Sequence, residues 1–395
     1  MSTKIRETRI TREPWDAPLS IFAGIGYAFI DMGVTQKDIA EALRVSLITV
    51  HRALNGSGYV SRELKERILA YARDVRYVPH KASQILLRNK VRKIAIFSSA
   101  LPHYFWNDIR TGITIAAEQI QALNYQVNYR TITERNSRLY LRRLREEIAD
   151  GVEAIAIVNQ WIFDMEAIIA FIERKGIPYI TLNVDAPDSD RLCYIGPDYR
   201  EGGRLAAEYI GKTLLFKKNP RTLVITTPVE TPEDSNSPDI NHLRYEGFLS
   251  VMRQHFGRIS HEVGYLATDI RSKDVDRQIA DLLASRQARV DAIYFIPAFN
   301  AQFIQALERR DRGETVIVLH DLESSSNHYL ERNLLTAVID QNPILQGYYT
   351  VKILENMLES GHPPDRRQIT ITHSLLLNEN KNLYKNHYLF TRMIE

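Results

Sequence analysis

The sequence predicts two unlike objects in one chain: a small all-α head of three helices, then a large α/β body of two lobes. Between Val34 and Pro79, apolar residues recur at helical spacing in three short blocks, each bounded by capping or stop residues. From Lys93 onward, near-continuous apolar runs of strand length alternate with helical runs, the pattern of parallel sheets covered on both faces. Charge is also divided along the chain. Residues 32–93 hold 13 Lys/Arg against 5 Asp/Glu, while residues 94–395 carry a net charge of −5. A compact basic head on a mildly acidic body suits a phosphate-facing module joined to a body that avoids polyanions.

Composition narrows the class. At 395 residues the chain has room for a small accessory domain plus one large or two medium ones. A hydrophobic share of 44% with 25% charged residues is that of an ordinary soluble globular protein. The single cysteine, Cys193, excludes an intramolecular disulfide and zinc sites built on cysteine pairs, and fits a reducing cytoplasm. No apolar run approaches the ~20 residues of a membrane span. The nearest candidate, Ile21 to Ile30, follows Glu13, Trp15 and Asp16 and has no small-residue cleavage site after it. It reads as a short buried helix or strand of an N-terminal extension, residues 1–31, to which no function is assigned.

The head, residues 32–80, begins at a cap. Thr35 precedes a helix whose Ile39, Ala40 and Leu43 fall on one face. Arg44 and Val45 make a turn, and Ser46 stands where a second helix needs a side-chain oxygen for its free N–H groups. In that helix Val50, Ala53 and Leu54 face inward, leaving Leu47, Ile48, Thr49, His51 and Arg52 outward or near its start. Asn55-Gly56 stops it. A third helix from Ser61 carries Leu64, Ile68, Leu69 and Ala72 on a core stripe, because two helices this short cannot bury enough surface alone. This is a helix-turn-helix, whose second helix enters a major groove N-terminus first. Ser46, Leu47, Ile48, Thr49, His51, Arg52 and Asn55 are then placed toward bases, while Thr35, Gln36 and the residues around Ser61–Lys65 are placed toward phosphates.

Residues 34–92 resemble the N-terminal region of the lactose-repressor (LacI/GalR) family. The matching stretches are T-Q-K-D-I-A, V-S-L-I-T-V-H-R-A-L-N-G, V-S-R-E-L-K-E-R-I-L and R-Y-V-P-H-K-A-S-Q-I-L-L. The resemblance implies a hinge at residues 81–92 that folds on the operator and sets Leu86 as a wedge in the minor groove, unstacking a flexible step and bending the duplex. The chain departs from the family with Arg44 where glycine is usual, His51 where serine is usual, and Lys81 and Ser83 in the hinge. About thirty residues also precede a motif that usually starts within a few residues of the N-terminus.

The body, residues 93–395, offers strand runs at 94–99, 125–130, 154–158, 177–184, 222–227, 292–296 and 315–320. Two sheets joined near residues 185–200 and recrossed near 321–342 make the two-lobed, type I periplasmic-binding-protein shape that the resemblance implies. Such lobes hold a small ligand outside the carboxyl ends of the strands. After the first strand come Phe105 and Trp106, which could stack on a sugar ring or belong to the lobe core. Asp198 precedes a helix start, where it caps the helix or, as the resemblance implies, reaches the ligand. The stretch N-H-L-R-Y-E-G-F matches the family's arginine-then-glycine helix and implies Arg244 in the cleft as a fork-like donor, against the alternative of a surface salt bridge. Asn300 follows a strand, with Ala298-Phe299-Asn300 replacing the Asn-Asp pair common in relatives. Asp321 ends another strand, and Gln341 sits six residues before Gly347, as the family's crossover glutamine does.

No phosphate-cradling glycine loop, G-x-S-x-G elbow or H-E-x-x-H pair is present, and Gly24-Ile25-Gly26 is too short for a dinucleotide fingerprint. No catalysis, cofactor or metal is therefore expected. The expected protein is a cytoplasmic, dimeric transcription regulator on a palindromic operator, controlled by a sugar, polyol or sugar acid in the cleft. Repression relieved by an inducer is the commoner family arrangement, and co-repression or activation is equally compatible. The contrasting class is a solute-binding sensor whose helix-turn-helix head does not act on DNA.

Overall fold

Why these residues form these elements is clearest in the head, where each helix is held by one apolar stripe. The computed structural model describes residues 34, 36–55, 59–75, 91–132, 136–229, 237–266, 274–285, 290–298, 300–309, 313–321 and 328–381. The chain divides into two compact units, Met1–Leu87 and Arg88–Glu395. In the first, α1 (Gln36–Leu43), α2 (Leu47–Asn55) and α3 (Arg62–Asp74) bury Ile39, Ala40, Val50, Ala53, Ile68 and Ala72 against one another. The turn between α1 and α2 is a Schellman stop: Val45 N–H donates to Ala40 O at 3.0 Å and Arg44 N–H to Glu41 O at 3.2 Å. Arg44 takes the left-handed φ of +53° that this stop requires, where glycine would sit without strain. Ser46 Oγ then accepts the Thr49 N–H at 3.1 Å, capping α2 as the sequence predicts. The N-terminal extension 1–31, Thr35, and the hinge up to residue 90, with Leu86, lie outside the described residues.

The second unit contains two parallel sheets. The first lobe holds β1 (Arg92–Ser99), β2 (Tyr125–Ile132), β3 (Val152–Ile157), β4 (Tyr179–Leu182), β5 (Tyr194–Gly196) and β11 (Gln368–Thr370), in the order β11-β5-β4-β3-β1-β2. The second holds β6 (Arg221–Thr226), β7 (Ser260–Tyr265), β8 (Ala292–Phe295), β9 (Val316–His320), β10 (Ala337–Asp340) and β12 (Ser374–Leu376), in the order β12-β10-β9-β8-β6-β7. All pairings are parallel except β10 with β12. The helices are α4 (His103–Gln121), α5 (Ser137–Ala149), α6 (Met165–Arg174), α7 (Tyr199–Thr213), α8 (Ile240–His255), α9 (Val275–Ser285), α10 (Asn300–Glu308), α11 (His328–Glu331) and α12 (Pro343–Ser360). Each sheet is buried on both faces, which is why its central strands read as unbroken apolar runs.

The chain passes between lobes three times: after β5, after β10, and between β11 and β12. The first passage falls within the 185–200 window predicted from sequence. The second follows Asp340, at the end of the 321–342 window, and the third was not anticipated. Two helix pairs clamp the lobes through glycine. A Cβ on Gly112 or Gly347 would meet the Ile344 or Ile109 carbonyl of the facing helix at 1.9 or 2.0 Å, which fixes α4 against α12. Gly203 and Gly247 do the same for α7 against α8, at 1.9 and 2.1 Å from the Arg244 and Arg200 carbonyls.

Candidate functional site

Within the head, the surface that matters is the start of α2. Its inner face is pinned by buried Val50 and Ala53, so the outer side chains are presented in a fixed order. Leu47 and Ile48 are 50% and 62% exposed, which burial energetics alone would not favour for aliphatic residues. Arg52 is exposed beside them. The Thr49 hydroxyl lies 2.7 Å from Ser46 Oγ, and His51 Nδ1 lies 3.4 Å from Gln36 Oε1, linking α2 to the start of α1. Arg67 of α3 donates to Leu43 O at 3.1 Å and satisfies an end carbonyl of α1. Asn55 closes α2, and its side chain lies outside the described positions.

In the body, the carboxyl ends of the strands from both lobes surround one cavity of about 620 Å³. Arg244, on the first turns of α8, is 5% exposed. Its Nη1 donates to Ile296 O at 3.3 Å, its Nη2 lies 3.5 Å from Asp321 Oδ2, and its guanidinium sits over the Tyr199 ring at 5.6 Å. The Arg244 Nε–H is buried with no hydrogen-bond partner among the described residues. Asp321 follows β9 with a left-handed φ of +52° and accepts from the Gln341 backbone N–H at 3.2 Å and from the Gln341 side-chain amide. Burial pushes the Asp321 carboxyl above its ordinary value, while Arg244 and the Gln341 hydrogen bonds pull it back. Gln341 is reached in turn by Asn183 Nδ2 at 3.4 Å, and Asn183 also donates to Gln346 Oε1 at 3.0 Å. An amide chain thus joins the end of β4 to the second passage.

Asp321, Arg244 and Gln341 therefore come together. Phe105 and Trp106 border the cavity but are only 5% and 6% exposed, packed edge to face in the core of the first lobe, and the Trp106 indole N–H donates to Leu101 O at 2.9 Å. Asp198 is not among the residues lining the cavity. Its carboxylate caps α7 by accepting from Arg200 N at 2.9 Å and Glu201 N at 3.2 Å, and it pairs with Arg204 at 3.2 Å. Asn300 is buried behind the wall, donating to His320 O at 2.8 Å and to Tyr104 Oη of the other lobe at 3.1 Å.

Sequence reasoning missed much of the lining, including Asn183, Tyr199, Trp161 and His320. Asn183 was signalled by an amide at the end of an apolar run. Tyr199, whose hydroxyl donates to Asn183 O at 2.9 Å, carried no signal beyond following Asp198. Trp161 follows the third strand run and is 41% exposed. His320 reads as the last residue of a strand, yet its Nε2 lies 2.6 Å from Tyr294 Oη, and burial with Arg244 nearby holds its imidazole well below its ordinary value.

Two α/β lobes joined by three passages around a cavity at the strand ends define a bilobal α/β body, and a helix-turn-helix unit precedes it in sequence. Residues 94–362 match the family model described as periplasmic binding protein domain, and residues 35–80 match bacterial regulatory proteins, lacI family. The chain belongs to the family of the periplasmic binding protein domain, by a match that spans more than half of its length, and it carries a lacI-family helix-turn-helix domain ahead of that body.

Its relatives include the "Probable HTH-type transcriptional repressor ExuR" of Bacillus subtilis, 28% identical over 58% of this chain and 63% of that protein. The ribose operon repressor of the same organism is 23% identical over 64% of this chain and 70% of its own length. The match to the first of these covers less than two thirds of its length. Among solved structures, AraP, an arabinose binding protein from Geobacillus stearothermophilus, aligns with a TM-score of 0.61 at 18% identity, over 74% of this chain and 99% of its own. A solute binding protein from Bacillus halodurans with bound myo-inositol gives 0.61 at 18%, over 76% and 99%. At that identity the structures establish the fold.

Proposed function

We propose that this chain is a cytoplasmic, dimeric repressor that binds a palindromic operator and is controlled by a sugar, polyol or sugar acid in the interlobe cleft. Residues 32–80 serve as the DNA-binding head, 81–92 as the hinge and 93–395 as the effector and dimerisation body. Ser46, Leu47, Ile48, Thr49, His51 and Arg52 meet base edges, with Asn55 at the end of their helix. Thr35 and Gln36 meet phosphates, and Leu86 wedges the minor groove. Two-fold symmetry follows from reading both half-sites.

The observation that carries the effector half is the sealed Arg244 guanidinium, held between Ile296 O and Asp321 with its Nε–H unmatched among the described residues. A buried donor without a partner costs stability, and a ligand oxygen relieves that cost. Arg244, Asp321 and Gln341 together present donors and acceptors of the kind that bind vicinal hydroxyls. Asn300 and Asp198 act from behind the first contacts, Asn300 through Tyr104 and Asp198 through the start of α7. Phe105 and Trp106 shape the wall of the first lobe. The ligand changes operator affinity only by its difference in affinity between the two states of the body.

A thermal-shift screen of sugars, polyols and sugar acids tests the reading. A true effector at a hundredfold its Kd stabilises the body by about 2.7 kcal/mol. A screen in which no member of the three classes raises the melting temperature contradicts it.

A further inference from the structure

Resting on the reading of the cleft as an effector site, we infer that its ligand has two rings: a hydroxylated ring held at the Arg244 end and a second ring stacked on the Trp161 indole. Three observations converge on this. The first is the size of the site with the lobes already in contact. Asn300 Nδ2 reaches Tyr104 Oη at 3.1 Å, and Ser237 Oγ donates to Asn159 O at 3.0 Å, so each lobe touches the other at two places beside the cavity. The volume of about 620 Å³ is therefore that of a bridged cleft rather than of an open groove. Sites of roughly 300–1,000 Å³ take drug-sized ligands, and a single pyranose occupies only part of such a space.

The second observation is the segregation of polarity. Asn183, Asp321 and Gln341 follow β4, β9 and β10, close in each sheet to the strands that flank the passages, and Arg244 reaches Asp321 there. The strands of the first lobe farther from the passages, β1, β2 and β3, lead into the larger apolar lining side chains Leu101, Ile132, Trp161 and Ile162, with the smaller polar Ser99, Asn159 and Gln160 among them. A ligand of one hydroxylated ring satisfies the first end and leaves the second against water. Covering that apolar end is favourable in proportion to the area removed from water.

The third is which aromatic ring is open. Phe105 and Trp106 are spent on the lobe core, and the Trp106 N–H is already donated. Trp161 is 41% exposed on the loop between β3 and α6 and lines the cavity. A sugar or aryl ring set on that indole gains dispersion and buried area without needing a hydrogen bond. Trp161 is then a specificity-determining residue. It discriminates between glycosides and free monosaccharides, while the Arg244 end recognises the hydroxyl pattern common to both.

Calorimetric titration of the full chain tests this with matched probes: the methyl glycosides of glucose, galactose and xylose against the phenyl glycosides and β-linked disaccharides of the same sugars. For the sugar recognised, the two-ring probe binds at least tenfold tighter than the methyl glycoside, a difference of about 1.4 kcal/mol. Trp161→Ala brings the two-ring affinity down to that of the methyl glycoside and leaves the latter and the ligand-free melting temperature unchanged. Trp161→Phe keeps most of the tenfold advantage. Tighter binding of phenyl glycosides than of disaccharides identifies the second ring as aryl; the reverse identifies it as a sugar. Equal affinities for one and two rings, or a Trp161→Ala variant that weakens both alike, overturns the inference. If no probe of either kind binds while the wider screen of sugars, polyols and sugar acids finds a stabilising ligand, this inference is overturned and the effector reading of the cleft stands; if that screen also finds none, both fail.

Discussion

Arg244 Nη2 and Asp321 Oδ2 face each other at 3.5 Å, with their side chains only 6% and 10% exposed. One comes from a helix and the other from the end of a strand, so the pair ties the α8 wall of the cleft to its floor. Removing one partner of such a pair strands the other, at a cost of about 3–5 kcal/mol. Arg244→Ala is therefore expected to abolish ligand-induced stabilisation, to lower the stability of the body by about 3 kcal/mol, and to leave operator binding in place. Adding Asp321→Asn recovers part of the lost stability, because the orphaned carboxylate is gone. A double-mutant cycle by denaturant unfolding measures this coupling; additive losses would contradict it.

Acid sensitivity follows from the third passage. The His373 side chain is buried with neither ring nitrogen hydrogen-bonded among the described residues, its Nδ1 3.9 Å from Glu201 and its ring near His320 around Gly202. Burial first, then the Arg244 charge, lowers its imidazole to about 4, with Asp198 a weaker opposing influence and Arg204 a small further push downward. The unfolded chain binds that proton from about pH 6.5 downward and the folded chain does not. Stability is therefore full above pH 6.5 and falls as pH drops toward 4, by roughly 3 kcal/mol from this residue. His320 acts in the same direction. Denaturant midpoints between pH 7.5 and 4.5 should decline less steeply in His373→Asn than in the parent, and parallel profiles would refute the assignment.

The helix clamps make a steric prediction. Gly247→Ala sets a Cβ 2.1 Å from the Arg200 carbonyl, where backbone must move. A loss of about 3 kcal/mol is expected, at the upper end for overpacking. Gly257→Ala is the matched control, since its nearest atom lies 3.9 Å away, and it should be close to neutral in the same thermal melt.

In the head, Arg44 holds a left-handed φ of +53°. An L-residue there costs about 1–2 kcal/mol, partly offset for glycine by its greater unfolded freedom. Arg44→Gly should raise the stability of the head by about 0.5–1 kcal/mol, read by hydrogen exchange of α1 and α2 amides. A decrease would mean that the arginine side chain contributes more than the strain it imposes.

Much of this architecture was legible because it is written in local signals. Ser46 announced the start of α2, and seven strand runs announced β1 to β4, β6, β8 and β9. β7 was missed because it is an edge strand, S-H-E-V-G-Y, whose exposed residues carry no apolar run. β5, β11 and β12 have three residues each, too short for periodicity to register, and β10, as long as β4 and β8, was passed over. The polar site was legible at Arg244, Asp321 and Gln341, whose places relative to strand ends and glycines are encoded nearby in sequence. Asp198 was assigned two roles that composition does not separate, and the structure shows it capping α7. Tyr199 owes its place to tertiary contacts with Asn183 O and the Arg244 guanidinium, and Trp161 to a loop after β3, neither of which a local pattern records.

The most direct measurement is retention of the chain's own promoter fragment as salt and effector are varied. Binding should be sequence-dependent, fall steeply from 50 to 200 mM salt as phosphate contacts are screened, and shift at fixed salt when the stabilising ligand is added. Retention indifferent to sequence, to salt and to every stabilising ligand would contradict the account of a DNA-gripping head commanded by a ligand-filled cleft.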